Sequence, residues 1–284
     1  MNQKIVFLDI DGTLADHNHI PLSAGRACRK ARKNGHLLYI CTGRPRVQIS
    51  PSILNAGFDG VVSSGGAWIE TRDNTKGNDP QVLFHTSFEK KFLCRLIDYL
   101  KIYKTPYMLE LPSKVLAGPY LKPWLDALHT GTPWTLRGVT ERMFSRIIFR
   151  SLVEDDPDSW DEVCKVVFME PAGLTFEDVE QEFQGECELF RNSIPVKGMK
   201  GGEISPVGVH KGAALERVIA YHGIQRENSI AIGDSDNDRT MLECAGVGIA
   251  MGNAHDALKQ IANDVTDTIE NAGLAKAFKK YGLV

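Results

Sequence analysis

The sequence predicts an α/β protein built on a doubly wound parallel sheet, with a second domain of mixed α+β character inserted into it. Three observations carry this expectation. Apolar runs at 5–8, 36–41 and 60–63 alternate with helical stretches, giving three β–α repeats within about sixty residues, the rhythm of a parallel sheet. The rhythm breaks near residue 85, where short strand and helix signals follow one another without period. It resumes after residue 196, with a helix opening at Lys211 and a strand over 229–233. The expected division is a core of 1–84 plus 197–284 and an inserted domain of 85–196.

The first strand, Ile5-Val6-Phe7-Leu8, is apolar at every position, so both of its faces should be covered. It runs into Asp9 and Asp11 and then a turn at Gly12. Residues 15–22 are polar and read as a flap over the strand's end. Ser23 is placed to cap a helix running to about residue 33, with Gly35 as its stop. The second strand ends at Thr42, and a helix over about 47–55 is closed by Gly57 before the third strand. Residues 68–71 and 82–85 read as an antiparallel hairpin. In the insertion, Phe92, Leu93, Leu96, Ile97 and Leu100 share one helical face. Strands are expected near 107–111 and 145–150 and around Leu174 and Leu189, with a helix over 159–168. Beyond it, Leu215, Val218 and Ile219 form the core face of the helix opened by Lys211, which stops at Gly223. The strand over 229–233 ends at Asp234; a short helix (237–244), a strand (247–251) and two closing helices (254–261 and 273–281) complete the chain.

Composition narrows the function. At 284 residues the chain is long enough for two ordinary domains. Thirty-three basic residues against 36 acidic ones give a net charge of −3, and no basic stripe points to nucleic acid. No apolar stretch approaches the ~20 residues that a membrane helix needs. Six scattered cysteines without a C-x-x-C pair read as free thiols in a reducing cytoplasm, and the early first strand leaves no room for a signal peptide. Cys41, beside Thr42, reads as a packing residue.

Asp9, Thr42 and Asp234 all fall at the carboxyl ends of expected parallel strands, where doubly wound sheets bind ligands. They can therefore converge although far apart in sequence. Taken singly, each signal has a plain structural reading. Asp-Ile-Asp-Gly is equally a strand ending in polar turn residues. Asp234, Asp236 and Asp238 are equally an acidic turn capping the next helix, and Asp236 is expected to do that. Lys211 is equally a surface lysine, although a helix N-terminus disfavours a cation. Arg44 is expected to pair structurally rather than to serve phosphate. Gly246-Val247-Gly248 lacks the third glycine of a dinucleotide fingerprint, Lys211 lacks the glycine spacing of a P-loop, and the eight histidines show no metal spacing.

Read together, these stretches resemble a known family. The run Asp9-Ile10-Asp11-Gly12-Thr13-Leu14 after an apolar strand, Thr42 in Cys-Thr-Gly-Arg, Lys211 in Val-His-Lys-Gly, and Asp234 and Asp238 in Gly-Asp-Ser-Asp-Asn-Asp resemble the four ordered motifs of the haloacid dehalogenase-like hydrolases. The place of the insertion and the phrases Glu203-Ile204-Ser205, His210-Lys211-Gly212 and Met251-Gly252-Asn253-Ala254 are similar to the Cof-type branch. The resemblance covers the core fully and the insertion by position and size. It implies a Rossmann-like core with a cap that selects substrate, and a cytoplasmic Mg²⁺-dependent phosphatase of small phosphorylated metabolites such as sugar phosphates. It implies Asp9 as nucleophile and Asp11 as general acid and base. Thr42 and Gly43 would bind phosphate, with Lys211 and Asn237. Asp9, Asp234 and the backbone carbonyl of Asp11 would hold the metal, supported by Asp238. The chain departs from the branch at Gly65-Gly66-Ala67, where Asn-Gly-Ala is usual. A contact near the substrate or cap hinge is therefore missing, and Gly65 is expected to loosen that hinge.

Two other functions fit the same residues. A sugar phosphomutase would need a second phosphate site in the insertion, for which Arg137, Arg142, Arg146 and Arg150 are the candidates. A non-catalytic ligand-binding protein on the same scaffold is opposed by the intact set of Asp9, Asp11, Thr42, Lys211, Asp234 and Asp238.

Overall fold

A computed structural model describes residues 2–16, 18–72, 79–129, 152–192 and 200–284. The chain forms two compact units: one of Met1–Arg44, Ile49–His85 and Val209–Val284, the other of Pro45–Gln48 and Thr86–Gly208. In chain order, β1 (Ile5–Leu8), α1 (Leu22–Lys33), β2 (Leu37–Cys41), α2 (Pro51–Leu54), β3 (Gly60–Ser63), β4 (Trp68–Thr71) and β5 (Gln81–His85) come first. The second unit contributes α3 (Lys90–Ile102), β6 (Tyr107–Glu110), β7 (Val115–Ala117), α4 (Leu121–His129) and β8 (Leu152–Glu154). It continues with β9 (Lys165–Met169), α5 (Phe176–Glu182), β10 (Glu188–Arg191) and β11 (Gly201–Ser205). The first unit resumes with α6 (Lys211–Tyr221), β12 (Ser229–Gly233), α7 (Arg239–Cys244), β13 (Val247–Ala250), α8 (Asp256–Ile261), β14 (Asp264–Val265) and α9 (Gly273–Lys280).

The first unit is the doubly wound α/β core. Its strand order is β14-β13-β12-β1-β2-β3-β4-β5. Strands β14 through β3 run parallel, and β4 and β5 add an antiparallel hairpin. Successive residues of β1 face opposite sides of the sheet. Val6 and Leu8 join Leu38, Ile40, Ile230 and Ile232 against α1 and α9. Ile5 and Phe7 join Tyr39, Val62 and Ala231 against α6 and α7. All four β1 side chains are fully buried, which explains the unbroken apolar run. Each such burial contributes roughly 1.5–3 kcal/mol, so the strand that carries Asp9 is anchored from both faces.

The second unit holds a sheet of order β10-β11-β9-β6-β7-β8, antiparallel except for the β7–β8 pair. Leu93, Leu96, Ile97 and Leu100 of α3 are buried against Leu109, Val166, Phe168 and Ile204, as their spacing requires. On the other face, Met108, Val167 and Met169 pack with Leu121 and Leu125 of α4. Beside them the Lys165 ammonium sits 3.2 Å from Glu110 and 3.0 Å from Glu203, all three buried.

Several elements differ from the sequence expectation. Helix α1 starts two residues early, so Ser23 lies inside it and caps nothing, Pro21 being the N-cap. The helix expected over 47–55 is a 3-10 turn (Arg46–Gln48) followed by the short α2, because Pro51 has no N–H to continue a helix and sits where one begins. The stretch expected as one helix over 159–168 is a 3-10 turn (Pro157–Glu162) and then β9, whose Val-Val-Phe run prefers a pleated, buried position. Leu174 is in no strand: Thr175 and Asp178 form a capping box that opens α5 just after it. The expected hinge residue Gly65 takes φ +66 with open space around its Cβ position. That is a left-handed site which asparagine also tolerates, so the two residues are alternatives for one conformation. The second unit extends through β11, past the residue 196 expected from sequence, since β11 pairs with β9 and β10. The strand expected at 145–150 and Arg137, Arg142, Arg146 and Arg150 lie outside the described residues. All six cysteines are free thiols, and among the described residues no helix is long and apolar enough to cross a membrane.

Candidate active site

Strand β1 lies between β12 and β2, parallel to both. The chain leaves β1 toward β2 and returns through β12 on the other side, so the strand order reverses here, where such folds bind ligands. Asp9, Thr42 and Asp234 each follow the last residue of one of these three strands. The Asp9 N–H still donates to the Ile232 carbonyl at 3.1 Å, and Thr42 N–H to Val62 at 2.9 Å, so sheet hydrogen bonds hold both residues. Gly12, with φ +77, turns the chain directly above Asp234. A Cβ there would fall 2.3 Å from Asp234 Oδ2, so only glycine fits.

Lys211 explains why a cation opens α6. Its ammonium is buried and bonded to Asp9 Oδ1 at 2.7 Å and Asp238 Oδ1 at 2.5 Å. The helix is capped instead by His210, whose Nδ1 accepts from the Ala213 N–H. Burial favours a neutral Lys211, but Asp238 and Asp9 outweigh it and hold the ammonium above its usual range. The other oxygen of Asp238 accepts from the N–H groups of Asp234 and Ser235 and from the Ser235 hydroxyl. Asp238 thereby fixes both the loop and the lysine.

Asp9, Asp234 and Asp238 offer oxygens within 4.8 Å of one another. Three carboxylates face one ammonium, and the cost shows in the protonation of Asp9 and Asp234. Burial pushes Asp9 well above the usual carboxylate range; Lys211 opposes it, and Asp238 and Asp234 add to it. Burial and then Asp238 push Asp234 up to about 7. Such a buried, oxygen-only, over-acidic set fits a hard divalent cation, which would restore the anionic forms. Thr13 Oγ1 donates to Asp234 Oδ1 at 2.9 Å, and Asn253 Nδ2 donates to Asp234 Oδ2 at 3.2 Å and to the Gly12 carbonyl at 3.0 Å. These two residues orient Asp234. Neither was singled out for a role in the sequence, although both lie within the motifs quoted for the resemblance.

The remaining candidates are placed as follows. Thr42 is buried, and its Oγ1 accepts the Arg44 N–H at 3.2 Å. Gly43 lies between them on the same turn. Asn237 is buried beside Asp238, its Oδ1 accepting from Ser235. The Asp11 carboxylate does not join the three-carboxylate cluster but is gripped by Arg44 at 2.5 and 2.7 Å. Arg44 does pair, as expected, and its partner is one of the site's own carboxylates. Cys41 is fully buried, with its thiol pushed up by burial, as a packing residue should be.

A family profile described as haloacid dehalogenase-like hydrolase matches residues 6–278, nearly the whole chain. The chain belongs to the haloacid dehalogenase-like hydrolases. It is 28% identical over 281 residues to the 5-amino-6-(5-phospho-D-ribitylamino)uracil phosphatase YitU of Bacillus subtilis, covering 98% of this chain and 97% of that protein. Its fold matches a haloacid dehalogenase-like hydrolase structure from B. subtilis with a TM-score of 0.81 at 24% identity, over 98% of this chain and 99% of the other. It also matches the subclass IIB sugar phosphatase BT4131 with a TM-score of 0.77 at 22% identity, over 99% of this chain and all of the other.

Proposed function

We propose that this haloacid dehalogenase-like hydrolase is a Mg²⁺-dependent phosphatase of a small phosphorylated metabolite, a sugar phosphate or a similar compound, working through an aspartyl phosphate on Asp9. The observation that carries the reading is the grouping of Lys211 and Asp238 with Asp9 and Asp234, which close the adjacent parallel strands β1 and β12. The relatives point to the substrate class: YitU is named for a phosphorylated ribityl compound and BT4131 for sugar phosphates.

The chain's own groups supply the chemistry. The Asp9 carboxylate attacks phosphorus while the bond to the leaving oxygen breaks, and Asp11 gives that oxygen its proton. Water then attacks the aspartyl phosphate, Asp11 takes the proton back, and phosphate and free Asp9 result. Lys211, already bonded to Asp9, offsets negative charge during the attack. The Thr42 hydroxyl accepts from Arg44, so its own hydrogen points the other way, available to a phosphoryl oxygen, and the Gly43 N–H and Asn237 assist. Mg²⁺, held by Asp9, Asp234 and the Asp11 carbonyl with Asp238 behind them, would neutralise the repulsion between carboxylate and phosphate dianion. Selection of the leaving group is assigned to the second unit. The test is phosphate release from a panel of phosphorylated metabolites with and without Mg²⁺, beside Asp9→Asn. Metal-dependent release that is lost in the variant supports the reading. Isomerised sugar phosphate with little free phosphate would replace it with a mutase.

A further inference from the structure

We propose that Arg44 is a positioning residue for the proton transfer: anchored by Asn18, it holds the Asp11 carboxylate in the orientation from which the proton passes to and from the leaving oxygen. The inference rests on the phosphatase reading above. Arg44 Nε donates to Asp11 Oδ2 at 2.7 Å and Nη2 to Asp11 Oδ1 at 2.5 Å. Two parallel charge-assisted bonds fix the plane of a carboxylate as well as its place, which a single point charge cannot do. The third nitrogen, Nη1, donates to Asn18 Oδ1 at 2.5 Å. Asn18 itself has φ +66, a backbone state that asparagine tolerates better than most residues. The Arg44 N–H donates to Thr42 Oγ1, so one residue links the phosphate-side threonine, the acid–base group and the 15–22 segment.

Exposure separates the roles. The Arg44 side chain is 13% exposed and that of Asp11 is 43%. The arginine is the seated partner and the carboxylate the reachable one. An arginine that served phosphate directly would turn its guanidinium to the ligand, whereas here all three nitrogens donate to protein oxygens. The mobile proton belongs to Asp11, leaves with the alcohol and is regained from water.

The test compares kcat/KM for the best alkyl phosphate of the panel with that for p-nitrophenyl phosphate, whose phenolate leaves without protonation. Because kcat/KM reports steps up to formation of the aspartyl phosphate, only the alkyl ester needs the acid. Arg44→Ala should lower the alkyl value about 10- to 100-fold, mostly through kcat, and the aryl value less than about threefold. Arg44→Lys should fall between. In an Asp11→Asn background, Arg44→Ala should add almost nothing, the non-additivity expected of a residue acting through its neighbour. Asn18→Ala, which removes only the anchor, should give the same pattern more weakly and serves if Arg44→Ala does not fold. Equal losses on both esters, a rise in KM for both, or additive losses with Asp11→Asn would overturn the proposal. No release from either ester by the parent protein would instead overturn the phosphatase reading, a failure distinct from these.

Discussion

Asp234 is held by two side chains that hydrogen-bond its two oxygens. Thr13 and Asn253 each donate to one of its oxygens. Groups that orient a ligand in this way typically set metal affinity by one to two orders of magnitude. Thr13→Val keeps the shape and removes the donor, so it should raise the Mg²⁺ concentration for half-activation about 10- to 100-fold. A titration of phosphate release against Mg²⁺ measures this; an unchanged midpoint would remove Thr13 from the site. That Asp9, Thr42 and Asp234 close parallel strands was legible from sequence, because each follows an unbroken apolar run. Their partners were not. That Arg44 grips Asp11, 33 positions away, or that Asn253 reaches Gly12 across 241, depends on which loops meet above the sheet.

At the scale of elements, the parallel strands of the first unit were legible because burial on both faces leaves an unbroken apolar run. The second unit was less so. Its strand β9 is as short and apolar as a buried turn of helix, and periodicity cannot separate the two. Lys165 in that strand also hid the packing: a lysine reads as exposed, yet here it is buried. Burial alone would lower its pKa, but Glu110 and Glu203 hold the ammonium above its usual range. Lys165→Met therefore leaves two buried carboxylates uncompensated and should destabilise the second unit by about 3–5 kcal/mol. Replacing all three residues by apolar ones of similar size should cost far less, since no buried charge remains. Urea unfolding of the full chain, followed at the buried Trp160 of that unit, distinguishes the two variants. Equal loss in both would mean that packing, not charge, is what Lys165 provides.

For the molecule as a whole, the acidic cluster should couple stability to pH and to a divalent cation. Asp234 has a folded-state pKa of about 7, against roughly 4 for an unfolded aspartate. The folded metal-free protein binds that proton more tightly than the unfolded chain. Its stabilising effect is complete below about pH 4 and is lost as pH rises through about 7. A divalent cation reverses this by favouring the ionised carboxylates, so the rise in thermal midpoint on adding Mg²⁺ should be larger at pH 8 than at pH 5. An equal or larger rise at pH 5 would contradict it. The central claim, hydrolysis through Asp9, is tested most directly by phosphate release from a metabolite panel with Mg²⁺, with chelator, and with Asp9→Asn in Mg²⁺. The account predicts release that needs both the metal and Asp9; an Asp9→Asn protein as active as the parent would contradict it.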